Sequence, residues 1–278
     1  MFTSPLLSND RAESYEQRLE HDIEALKNAL DVAFKANPFR SLTKRFVIAC
    51  SARTGSHLLC ERLLPHGAVV AESLLPVHVL GTCRRRGLAS LEAYCEFYLE
   101  KDTPRGVFGS KGNSALWAPL VLAGEFPTHV KDWKFVHLSR TDVLKQAISG
   151  VIAVQTQSWK SSRAPAKSLT DDDFDAVEIS RTMEDCMVHN ERWKNIFELF
   201  GIQPLRITYE ELAADPPDVS AAVADFLGLD GPPIKDRRFA TAPLQVQSND
   251  LNARWEERFL KLNSPAVSGR HDIRATPG

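Results

Sequence analysis

Residues 45–64 read RFVIACSARTGSHLLCERLL, and this stretch decides the fold. Phe46-Val47-Ile48-Ala49-Cys50 is a short apolar run with β-branched and aromatic residues, the pattern of a buried strand. A loop of small residues follows, Ser51-Ala52-Arg53-Thr54-Gly55-Ser56. Leu58, Leu59, Leu63 and Leu64 then continue at helical spacing. Strand, small loop and helix together aim backbone N–H groups and a helix N-terminus at an anion. Thr54 and Ser56 add hydroxyls, Arg53 adds a fixed positive charge, and Gly55 permits a tight turn. A plain strand-to-helix turn with a serine cap fits the same residues. The loop lacks the Gly-Lys-Ser/Thr of a Walker A motif, because Gly55 precedes Ser56 and His57. An ATP-dependent kinase is therefore disfavoured.

Working outward, the same alternation recurs. Residues 67–73, 107–111, 134–138 and 205–209 read as further strands, and helical patterns lie between them. The expected fold is α/β: a P-loop-like, three-layer domain with a mainly parallel central sheet flanked by helices. In such sheets, ligands bind at the carboxyl ends of strands. Two strand ends carry an arginine among small polar residues, Arg53 after the first and Arg140 after the fourth. Leu19, Ile23, Leu26, Leu30 and Ala33 place an amphipathic helix over 11–37. The expected division is a tail and amphipathic helix over 1–40, the α/β domain over 41–263, and a disordered tail over 264–278. Arg84-Arg85-Arg86 reads as a solvated face.

The 278 residues carry a net charge of −2, so nothing draws the chain as a whole toward nucleic acid. Any anion site must be built locally. Cys50, Cys60, Cys83, Cys95 and Cys186 show no CxxC spacing, which points to reduced thiols and a cytoplasmic location. The N-terminal MFTSPLLSND has no signal-peptide character, and no window approaches the length of a membrane span. No metal site is expected, since His, Cys and carboxylates do not cluster.

Four pieces, taken in order, carry a resemblance. They are SARTGSHLL at 51–59, Glu72 after the next short strand, FVHLSRTDVLKQAISG at 135–150, and Gln155-Thr156-Gln157-Ser158-Trp159. Ile207-Thr208-Tyr209-Glu210-Glu211-Leu212 and Asp225-Phe226-Leu227-Gly228 follow. Over roughly 45–260 the chain resembles bacterial sulfotransferases that use PAPS (3′-phosphoadenosine 5′-phosphosulfate), and more narrowly the trehalose 2-sulfotransferase family.

The resemblance implies transfer of a sulfuryl group from PAPS to a hydroxyl of a carbohydrate or glycolipid-type acceptor, without a metal. It implies that Ser51, Ala52, Arg53, Thr54, Gly55, Ser56 and His57 hold the 5′-phosphosulfate, and that Arg140 and Ser149 meet the 3′-phosphate. It implies Glu72 as catalytic base, with Arg53 beside the leaving oxygen; His57, near the start of the first helix after the loop, is the competing base on the reading of the residues alone. Partial burial is expected to raise the pKa of Glu72 toward working pH. A homodimer is implied in the same way. Three positions depart from the family pattern: Ala52 for a proline, His57 for a small residue, and Thr141 for a second basic residue. The other classes are a P-loop-type nucleotide kinase and a non-catalytic nucleotide-binding protein of the same fold.

Overall fold

The computed structural model describes residues 15–159, 165–234 and 250–263. Its centre is a sheet of five strands: β1 (Lys44–Cys50), β2 (Val70–Ala71), β3 (Val107–Gly112), β4 (Lys134–Ser139) and β5 (Leu205–Thr208). Their order is β2-β3-β1-β4-β5, and every pairing is parallel. A parallel sheet is covered on both faces, which explains the unbroken apolar run of β1. Phe46, Ile48 and Cys50 point to one layer of helices, while Val47 and Ala49 point to the other.

The first layer is built on α2 (Ser56–Leu63), α8 (Tyr209–Ala214) and α9 (Pro216–Leu227), with Leu59, Leu63, Leu212, Val223 and Leu227 buried against the sheet. The second holds α1 (Tyr15–Ala29), α3 (Pro76–Arg86), α4 (Leu91–Asp102), α5 (Trp117–Leu122) and part of α7 (Ala176–Leu199). Trp117, Trp193, Phe135 and Phe197 form its aromatic centre. A smaller cluster joins α6 (Val143–Thr156) to α7 and α10 (Asp250–Asn263) around Trp255. The expected mainly parallel α/β sheet with flanking helices is what the chain forms.

Several boundaries differ from the sequence reading. The first helix ends at Ala29 rather than 37, because Asp31 turns out to pair with Ser90. Leu26 is fully buried in the second layer, with Leu19 and Ile23 packed beside it. The second strand shrinks to Val70–Ala71. Residues 76–86 form a helix that Pro76 starts at N1 and Gly87 ends in the left-handed conformation. Arg84, Arg85 and Arg86 occupy its exposed last turn, where positive charge suits the helix dipole. Tyr209 opens α8 instead of ending β5, because Thr208 and Glu211 form a capping box there. The N-terminal and C-terminal tails read at 1–14 and 264–278 lie outside the described residues.

Strand order places the site. From β1 the chain crosses to β2 at one edge, and from β4 it proceeds to β5 at the other. The carboxyl ends of adjacent β1 and β4 therefore flank the point where connections diverge, which is where open α/β sheets take ligands. Arg53 and Arg140 stand at those two ends.

Candidate active site

The loop after β1 is shaped by two left-handed residues, Arg53 (φ 63°) and Gly55 (φ 77°). Glycine takes this conformation freely, whereas arginine there is strained by roughly 1–2 kcal/mol. Such strain persists where the surroundings over-determine the backbone. Here the surroundings are Gln146 and Tyr209. The fully buried Gln146 of α6 donates through Nε2 to Ser51 Oγ (2.9 Å) and to the Ala52 carbonyl (2.6 Å). The Tyr209 ring packs so close to Gly55 that a Cβ there would sit 2.5 Å from its Cδ2. Sequence reading missed Gln146; its signal was an amide at an inward-facing position of an otherwise apolar helix face.

Thr54 differs from expectation. Its side chain is fully buried, and its hydroxyl donates to the Ser51 carbonyl at 3.1 Å. It braces the loop instead of facing a ligand. Ser56 is buried at the start of α2, and its Oγ accepts from Lys111 at 3.3 Å. Ala52 is exposed, and His57 is half-buried in the first turn of α2.

Arg53, Arg140 and Ser149 come together. Arg53 donates from Nε to Ser149 Oγ (2.9 Å) and from a terminal nitrogen to the Trp159 carbonyl (2.8 Å). Arg140 donates to the Arg53 carbonyl at 3.3 Å and lies over the Tyr209 ring, 4.4 Å from its centroid. Burial and the adjacent Arg140 pull the Arg53 guanidinium below the ordinary arginine range, although arginine keeps its charge. The Arg140 Nε is buried without a hydrogen bond among the described residues, and the Glu210 carboxylate stands 4.0 Å away. Glu210 instead accepts the backbone N–H groups of Thr141 (3.1 Å) and Asp142 (3.3 Å). Two guanidiniums and a hydroxyl thus meet at the divergence point.

On the other side of β1, Lys111 at the end of β3 is 3% exposed, and its Nζ lies 2.6 Å from Glu72 Oε1. Glu72 also pairs with His78 of α3 at 3.2 Å through Oε2. Its pKa runs opposite to expectation. Burial is the largest influence and pushes upward, but the combined hydrogen bonds and charges of His78 and Lys111 outweigh it. The carboxyl is held well below the usual range and is ionised. Burial also works against the Lys111 ammonium, yet the Glu72 charge raises its pKa overall. Lys111 thus stands between Glu72 and Ser56, at the end of β3.

Among the described residues no group of three or more His, Cys, Asp or Glu is placed to hold a metal ion. No described helix is long and apolar enough to cross a membrane.

The Stf0 sulphotransferase family matches residues 127–261, a span that includes Arg140, Ser149 and Tyr209 but not the Arg53 loop or Glu72. A trehalose 2-sulfotransferase of Mycobacterium tuberculosis (strain ATCC 35801 / TMC 107 / Erdman) is 29% identical over 175 residues, covering 56% of this chain and 62% of that protein. A trehalose 2-sulfotransferase of Mycolicibacterium smegmatis (strain ATCC 700084 / mc(2)155) is 26% identical over 177 residues, covering 57% of this chain and 62% of the relative. The chain thus spans somewhat under two thirds of these relatives' length. By motif order, by the Stf0 match and by these relatives, the chain is similar to the trehalose 2-sulfotransferases.

Proposed function

We propose that the chain is a sulfotransferase that moves a sulfuryl group from PAPS to a hydroxyl of a carbohydrate or glycolipid-type acceptor. The observation that carries this reading is the meeting of Arg53, Arg140 and Ser149 at the carboxyl ends of β1 and β4, with the Glu72–Lys111 pair alongside. The strand order and the β1–loop–α2 unit support a P-loop-like fold for the domain over 41–263, with α1 packed on it.

The residues fit a polyanionic donor. Arg140 keeps a buried, unpartnered Nε–H, and Arg53 bonds neutral oxygens of Ser149 and Trp159 that a phosphate can replace. Charge-assisted bonds of this kind contribute about 1.5–3 kcal/mol each. In this reading Ser51, Ala52, Arg53, Thr54, Gly55, Ser56 and His57 form the 5′-end loop. Thr54 acts through the loop's shape, and Ser56 with the N-terminus of α2 supplies donors. Arg140 and Ser149 take the 3′-phosphate.

Bound PAPS supplies the sulfuryl group: its sulfur–oxygen bond to the phosphate breaks as the acceptor oxygen bonds sulfur. Sulfuryl transfer, like phosphoryl transfer, rests on positioning and charge stabilisation. Arg53 and Lys111 place positive charge beside the transferred group and the leaving oxygen. Glu72 receives the acceptor proton. Its depressed pKa makes it a weak base before transfer, so it removes a proton that the forming bond to sulfur has already made acidic. His57 is the competing base.

The five cysteines are buried and form no disulfide among the described residues, which supports a reducing, cytoplasmic setting. A homodimer is carried by the family resemblance. The test is direct. Labelled PAPS is offered with trehalose and other sugar hydroxyl acceptors, and 3′-phosphoadenosine 5′-phosphate and ATP with magnesium are compared by thermal shift. The reading expects a labelled sugar and stabilisation by the 3′-phosphorylated product. Stabilisation by ATP with magnesium alone would replace it with a kinase.

A further inference from the structure

The α7 face of the sheet holds a cavity of about 430 Å³ between β4, β5 and α7. Its polar lining includes His137, Asn190, Lys194, Arg206, Arg140 and Glu211. Arg53, Ser149 and Gly55 do not line it.

His137 is 4% exposed, and its Nδ1 lies 3.2 Å from an Arg206 terminal nitrogen. A guanidinium can only donate, so Nδ1 accepts. Burial, then the charges of Arg206 and Lys194, pull the imidazole down to about 4, which leaves it neutral at pH 7. The ring proton therefore sits on Nε2. That N–H is buried and has no acceptor among the described residues. Buried donors of this kind are rarely left unpaired. The Asn190 side chain is also orphaned, at Oδ1, and its amide can turn to present Nδ2.

Charge adds to this. Lys194 is paired to Glu191 at 2.6 Å, and Arg140 has Glu210 at 4.0 Å. Arg206 touches only His137 and the Phe197 ring, with no carboxylate partner among the described residues. Glu211 brings the opposite charge, but its Oε2 is occupied by the Thr208 N–H (2.7 Å) and hydroxyl (2.8 Å).

We propose that this cavity binds a small oxyanion of the phosphate or sulfate class, accepted by His137 Nε2–H between Arg206 and Lys194. The site shares Arg140 with the proposed 3′-phosphate position and takes the rest of its lining from β4, β5, α7 and α8.

The test titrates inorganic phosphate into the full chain, labelled with 15N at histidine. The expected result is a saturable shift of the His137 Nε2 resonance that survives Arg53→Ala. Affinity falls at least tenfold in Arg206→Gln and several-fold in Lys194→Gln. Both of those positions are exposed, so the variants keep the fold, and circular dichroism checks this. No His137 shift would overturn the proposal. So would a shift lost in Arg53→Ala, which would mean that phosphate acts through the loop after β1. Equal affinity in Arg206→Gln would also overturn it, by showing that the phosphate is not held beside Arg206.

Discussion

Lys111 Nζ lies 2.6 Å from Glu72 Oε1, and this bond ties the end of β3 to the residue that follows β2. The ammonium is almost completely buried, while the carboxylate is 38% exposed. The pair is therefore asymmetric: Lys111 is shut off from solvent, with the Glu72 charge among the influences that raise its pKa, and Glu72 retains access to solvent.

Glu72→Gln is expected to lower turnover by about 10²–10⁴-fold while donor binding stays nearly intact. His57→Ala is expected to cost less. Lys111→Met removes one of the influences that hold Glu72 low, so its pKa moves up. The acid limb of kcat/KM, which requires ionised Glu72, then shifts to higher pH. Profiles of the two proteins measured side by side check this; coincident acid limbs would remove Glu72 from the base role.

Arg140→Ala and Ser149→Ala are expected to weaken 3′-phosphoadenosine 5′-phosphate by roughly tenfold or more each, on the scale of a lost charged hydrogen bond. Adenosine 5′-phosphate, without the 3′ group, should be affected much less. Arg53→Ala should weaken both nucleotides, because Arg53 touches Ser149 as well as shaping the loop. Calorimetric titration of the two ligands decides. Equal losses in Arg140→Ala would show that Arg140 holds the loop through the Arg53 carbonyl and does not read the phosphate.

Glu125 is fully buried away from this site. Its carboxylate accepts from Asn37 (2.7 Å), Arg45 (3.0 Å) and Trp133 (2.7 Å), joining the segment before β1 to the segment before β4. Removing it leaves the buried Trp133 N–H and the part-buried Asn37 and Arg45 donors without this partner. Glu125→Ala should destabilise by about 3–5 kcal/mol, and Glu125→Gln by less. Urea denaturation gives both numbers, and a Glu125→Ala loss below about 1 kcal/mol would contradict the network's role.

His137 makes stability depend on pH. Its folded pKa, pulled down to about 4, lies below the ordinary 6.5. Between these values the unfolded chain binds the proton and the folded chain does not. Stability is therefore full above about pH 6.5 and falls as pH drops toward 4, with a limiting slope of about 1.4 kcal/mol per pH unit. His137→Phe should flatten this part of the curve. A wild-type curve with no His137-dependent slope between those limits would count against the buried neutral imidazole.

Much of this was legible in the chain. The run Phe46–Cys50 and the loop that follows announced a parallel α/β sheet, and Arg53 and Arg140 stood out at two strand ends. Their contact was not legible, because it depends on β1 and β4 being neighbours, a fact of strand order. Glu72 was found, but its electrostatics were read from local apolar residues alone. The reversal comes from Lys111 and His78, which are 39 and 6 residues away along the chain. The sequence reading named no helix over 76–86, a stretch that holds Pro76 and Gly81. Proline at N1 starts a helix rather than breaking it.

The two borders of the sheet have a further consequence. β2 contributes only Val70 and Ala71, and β5 only the four residues Leu205–Thr208. A strand that short exposes few backbone N–H and C=O groups for another chain to pair with, one way that proteins prevent edge-to-edge association. Among the described residues, neither border of the sheet therefore gives a second copy a long strand with which to continue it.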